Sequence, residues 1–204
     1  MEFNFEFKVD HLNRALAAAR DAISHPKEML LFVGSSLVVE NRRRHESGLA
    51  PDGTPWKPLA PSTIGNDIWN KQKKANRKGN SKRGAFHDLK VAREVQANRR
   101  ILMKTGHMLN SIDRQVHGDT LSIYFDGTRE EKLANIHHSG TDPYTISPKK
   151  AKALSFGGIA VKRVHHPGLP ARPLIGFPES DQRVALEEVD DYLTIILQRA
   201  RGQS

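Results

Sequence analysis

The sequence contains no cysteine. This excludes a disulfide scaffold, a thiol nucleophile and any zinc site with sulfur ligands, and it fits a reducing compartment. Long apolar runs are missing too: none reaches the roughly 18 residues that would cross a bilayer. Met1 to Asp10 alternate apolar with polar residues, unlike the continuous apolar stretch of a signal peptide, so a soluble chain with no membrane partner is expected. Aromatic residues make up 6% and hydrophobic residues 37% of the 204, both low for one compact domain, so part of the chain is expected to lie outside the core. Acids are outnumbered, 23 Asp and Glu against 32 Lys and Arg, which leaves a net charge of +9. A basic excess points to nucleic acid or another acidic surface without fixing a fold.

What is present reads as an α+β chain forming a single domain over residues 1–204. Phe3, Phe5, Phe7 and Val9 share one edge of an extended segment. Asp10 then stands where a helix cap belongs, before the stripe Leu12, Leu16, Ala19 and Ile23. Pro26 ends that helix, and a longer one is expected from Lys27 to Glu46, apolar in its first half and solvated at Arg42, Arg43, Arg44 and His45. Gly48 and Pro51 stop it. Pro51-Asp52-Gly53 is a turn in which proline fixes φ, the Asp side chain bonds nearby backbone and glycine permits positive φ; Trp56 follows as an anchor for the loop.

Residues 68–100 form a basic insertion. Lys71, Lys73, Lys74, Arg77, Lys78, Lys82 and Arg83 lie between Asp67 and Asp88 with no acid among them, and hydrophobic periodicity is absent. Subtracting these seven from the net charge leaves +2, so the excess belongs to one insertion and not to the body. Beyond it, Thr105 is placed to cap a short helical turn whose Met108, Leu109 and Ile112 point inward. A hairpin turns at Gly118-Asp119, and Leu133 to His138 suits either helix or strand. A second hairpin is expected from Ala153–Phe156 and Ile159–Val164. The prolines at 167, 170 and 173 impose an irregular extended arm up to Phe177. A terminal helix begins near Pro178 with the stripe Leu186, Val189, Leu193, Ile196 and Ala200. The expected architecture is a small antiparallel sheet of hairpins braced by a long helix of the N-terminal half and a C-terminal helix.

Catalytic signatures are sparse. The ten histidines include the pairs His137-His138 and His165-His166, but no H-E-x-x-H accompanies them, and a His-ligated metal enzyme is the remote alternative. No phosphate-binding glycine loop or nucleophile elbow is present. No cofactor is expected. The basic insertion lacks interleaved aromatics apart from Trp69, so it supports salt-sensitive contact with nucleic-acid backbone, and a sequence-independent nucleic-acid-binding protein is the second alternative.

Four short motifs occur in a definite order: Ala50-Pro51-Asp52-Gly53-Thr54-Pro55-Trp56, then Ile101 to Ile112, then Ile136-His137-His138-Ser139-Gly140, and finally Leu169-Pro170-Ala171-Arg172-Pro173-Leu174-Ile175-Gly176-Phe177. The series resembles the phage virion morphogenesis family, the tail completion proteins that include the Mu-like G protein. The resemblance runs from the second helix to the C-terminus. It implies a non-enzymatic structural protein of the virion neck or tail top that completes the tail and joins it to the head. It further implies a ring of this chain, a hexamer, around the DNA path, contacting other neck, connector and tail proteins and packaged DNA, and present in the host cytoplasm during assembly. The residues at work would be an interface set of Trp56, Arg172, Pro173 and Phe177; Arg172, held in a stiff arm between Pro170 and Pro173, would form an ion pair between subunits or between rings, or else only cap a nearby helix. The seven basic residues of the insertion would face DNA.

Overall fold

The structure, a computed structural model, describes residues 9–60, 63, 100–149, 151–156 and 159–202. The Phe3, Phe5 and Phe7 edge and the seven basic residues between Asp67 and Asp88 lie outside the described residues.

Helix α1 (Asp10–Ser24) leads into the long α2 (Lys27–Ser47). A single turn, α3 (His107–Asn110), opens the second half. The hairpin β1 (Ile112–His117) and β2 (Thr120–Phe125) follows, then α4 (Thr128–Ser139). The short strands β3 (Tyr144–Ile146), β4 (Leu154–Phe156), β5 (Ile159–Val161) and β6 (Val164–His166) precede α5 (Glu179–Gly202). The α+β class holds. The strands do not join into one sheet: among the described residues they form three separate antiparallel pairs, β1–β2, β3–β6 and β4–β5. The second expected hairpin is correspondingly shorter. Its last residue, Val164, leaves β5 to pair with Ile146.

Helix α2 is the brace. It packs on both strands of the β1–β2 hairpin, and Gly34 marks the close approach: a Cβ there would stand 2.8 Å from Leu121 Cδ1 and 2.9 Å from Arg114 Cδ. The contact is locked by side chains that satisfy backbone carbonyls. Arg114 Nε donates to Leu31 O at 3.2 Å, and Arg42 Nη2 donates to Ile112 O at 2.7 Å and Asn110 O at 3.2 Å. Val38, Leu109 and Ile112 form one core cluster. Ala50, Trp56, Met108, Ala134 and Leu174 form the other, and Phe125 packs against both.

The basic end of α2 is therefore not solvated as its composition implied. The buried stripe continues through Asn41 to His45. On the neighbouring face Arg44 pairs with the buried Asp181 through two bonds, Nη1 to Oδ1 at 2.5 Å and Nη2 to Oδ2 at 2.7 Å. This pair pins the first turn of α5. Contacts from Arg44 to Asp181, Ser36 to Glu188 and Glu28 to Tyr192 run in opposite chain directions, so α2 and α5 are antiparallel.

Three local expectations need correction. Asp10 is the first residue of α1 and no side chain caps that helix; Val9 holds the cap position. Thr105 does not cap α3, because Gly106 intervenes with φ +74° and shifts the start by one residue. Leu186 lies off the buried stripe of α5 and is 70% exposed, while Val189, Leu193, Ile196 and Ala200 are half-buried. The ambiguous segment around Leu133 is helical. Glu130 and Glu131 in its first turn suit the helix dipole.

Candidate functional site

The four motifs converge on one junction. Gly48 ends α2 in the left-handed region at φ +70°, which turns the chain back on itself. The Pro51-Asp52-Gly53 turn then closes as its composition predicts. Asp52 Oδ1 accepts from Thr54 N at 2.9 Å and from the Thr54 hydroxyl, bonds that hold its carboxyl pKa below the usual range. Ala50 N donates to Thr54 O at 2.8 Å, and Trp56 N donates to Gly48 O at 2.8 Å. The loop is thereby a rigid mount, and the side chain it presents inward is Trp56.

Trp56 meets the arm that connects β6 to α5. Its Nε1 donates to Pro173 O at 3.0 Å, and its ring stands edge-on to His45 of α2 with centroids 5.2 Å apart. Arg172 reaches the same loop from the arm. Nε and Nη2 donate to Lys57 O at 3.1 and 3.0 Å, and Nη2 also donates to Pro58 O at 3.3 Å. The C-terminal end of α4 holds the arm from the other side. Arg172 N donates to His137 O at 2.8 Å, and Leu174 N donates to His138 Nδ1 at 3.2 Å. Gly140 makes this approach possible. Its φ is +73°, and a Cβ there would stand 2.5 Å from Leu169 O and 2.7 Å from Ala171 N. Leu174 then plugs the core, 1% exposed.

These positions change the roles assigned to two interface candidates. Trp56 is 5% and Arg172 3% exposed, so both are internal ties of the subunit. The described partners of the Arg172 guanidinium are carbonyls of its own chain, not an acid, and the expected intersubunit ion pair gives way to a loop clamp. A planar guanidinium suits this because it can bond two carbonyls at once. Pro173 and Phe177 are exposed, Phe177 by 56%.

Burial governs the electrostatics. It lowers the pKa of Arg172 from a value so high that the group stays cationic. It also lowers the pKa of His45 and of His137, where the Arg172 charge lowers it further. At His45 burial outweighs the opposing effects of a backbone hydrogen bond with Leu102 and of the Glu46 charge. In both histidines burial favours the neutral form, and among the described residues Nδ1 of His137 has no hydrogen-bond partner. His166 stacks on Tyr144 with centroids 4.8 Å apart and accepts from Gly168 N through Nδ1. Among the described residues no three His, Asp or Glu side chains are grouped to hold a metal ion, although His137, His165 and His166 all line one cavity beside Arg172. Among the described residues no helix is long and apolar enough to cross a membrane.

The junction is thus built to fix geometry, with Trp56 Nε1 and the Arg172 guanidinium spent on backbone carbonyls. The family model for phage virion morphogenesis matches residues 7–194, a span that takes in all four motifs. The chain belongs to the phage virion morphogenesis family. It is accordingly a phage structural and assembly protein of the virion. No curated protein and no solved structure matches this family member. Sequence order located the motifs, but the buried Arg44–Asp181 pair escaped notice, since an Arg in a basic run and an Asp in an acidic helix carry no mark of each other across 137 positions.

Proposed function

We propose that this family member is a subunit of the virion neck or tail top, where it completes the tail and joins it to the head as a hexameric ring around the DNA path. The match of the family over residues 7–194 carries this reading. The rigid motif junction supports it, because a ring subunit needs surfaces held in fixed relation. Exposed Pro173 and Phe177 stand on the outer side of the arm that Trp56 and Arg172 clamp from within. They serve docking, and the buried pair serves to aim them. Neighbouring connector and tail proteins are the remaining partners.

The basic insertion adds a second contact in the same reading. Its seven positive charges with no acid among them favour the phosphate backbone of packaged DNA, irrespective of sequence. Electron microscopy of particles assembled without this protein tests the main reading: unjoined heads and malformed tails are expected, and intact infectious virions would overturn it.

A further inference from the structure

Helix α1 carries two faces, and among the described residues only one packs on another element. Ala15 is buried and Ala18, Ala19 and Ala22 are half-buried where α1 packs on α5. The larger residues turn away. Leu16 is 58% and Ile23 59% exposed, and Val9 and Leu12 are exposed beside them. At about 100° per residue these four fall within roughly 60° of one another, about a quarter turn from the alanine face. Burying alanine while presenting leucine and isoleucine is the reverse of what a helix finished within its own subunit does.

A second apolar surface lies elsewhere on the same chain. A groove of about 600 Å³ runs between α2, β2 and the start of α5, with Leu30, Leu37, Leu121, Phe177, Leu186 and Val189 among its walls. Of its α2 residues Leu30 is half-buried while Val33, Leu37 and Asn41 are buried, so the accessible rim is Leu30, Leu121, Phe177 and Leu186. The two surfaces match in charge. Arg20 borders the stripe, while Glu179, Glu187 and Asp190 surround Leu186 on α5, with Arg183 the one base among them.

We infer that the leucine stripe of α1 docks in the α2–β2–α5 groove of a second copy of this chain. The inference rests on the ring reading above and supplies its contact. Ridge and groove are different surfaces, so each copy can give one and receive the other. Such a head-to-tail contact closes into a ring when its rotation permits, unlike a two-fold contact, which stops at a dimer.

The cysteine-free sequence allows a direct test. Two full-length preparations, Leu16→Cys and Leu186→Cys, are mixed and treated with a short bifunctional maleimide, with the sedimentation of the unaltered protein measured alongside. Both positions are exposed, so the folds should survive, which near-ultraviolet circular dichroism checks. The expected result is a cross-linked pair in the mixture and none in either preparation alone. A chain carrying both substitutions should give a ladder ending at the ring number. Leu16→Glu should weaken self-association by at least about tenfold with the melting temperature unchanged. Cross-linking within Leu16→Cys alone would mean that α1 meets α1, and would overturn the inference. A cross-link-free mixture from a protein that sediments as an oligomer would overturn it and leave the ring reading standing. A protein that is monomeric at every concentration and never cross-links would remove both.

Discussion

Arg172 shows how a residue flanked by prolines can work inward. Its guanidinium bonds the carbonyls of Lys57 and Pro58, and truncation would strand both. Arg172→Ala should therefore cost about 2–4 kcal/mol of stability, read by chemical denaturation, and Arg172→Lys should recover only part of it because an ammonium cannot reproduce the planar fork. His45 makes a second prediction. Its pKa in the fold is below its ordinary value of about 6.5, so the unfolded chain binds the proton more readily. Stability is then complete above about pH 6.5 and falls as the pH drops toward and through the lowered value, with a slope from this group of at most about 1.4 kcal/mol per pH unit. His137 adds to the same trend in the same direction. Denaturation midpoints from pH 7.5 down to 5 should show the loss, and His45→Phe should flatten it; an unchanged slope would mean that other groups set the acid response. Turn chemistry was readable at this scale, since Asp52, Gly53 and Gly118 adopt the geometry their types favour. The role of Arg172 was not, because its partners are backbone carbonyls 114 and 115 positions away.

Elements owe their placement to a few long-range ties. Gly140 lets the arm lie on the end of α4, and Gly140→Ala combines positive φ with backbone overlap, so a destabilisation of about 2–4 kcal/mol is expected by thermal melting. Asp181→Asn leaves Arg44 without its carboxylate beside the first turn of α5, and a loss of about 3 kcal/mol is expected. Hydrogen exchange would localise it: amides of α5 should exchange faster while those of β1 and β2 stay protected. Periodicity revealed the elements that bury a regular face. The β1–β2 hairpin and the boundaries of α2 follow from alternation and from Gly48. Periodicity alone could not reveal β3 with β6, three residues each with their pairing fixed by the chain around them, nor that the stripe of α1 faces outward. A stripe states that a face is apolar and not what covers it.

For the whole molecule, net charge separates from architecture. The body carries about the charge of an ordinary domain once the seven basic residues of the insertion are set aside. Neutralising those seven should leave the fold's melting temperature unchanged and lower the retention of packaged DNA in assembled particles. Equal retention would assign the insertion another task. The body itself is a mount in which the arm before α5 is tied to the loop after α2 by Trp56 and Arg172, and α5 is tied to α2 by the Arg44–Asp181 pair. The central claim is that many copies of this mount make a closed collar at the tail top. A cryo-electron microscopy reconstruction of the virion neck tests that most directly. A sixfold ring of this chain around the DNA path, with α1 of each subunit against its neighbour, is the predicted result. A neck in which this chain is absent, or present as single unconnected copies, would contradict it.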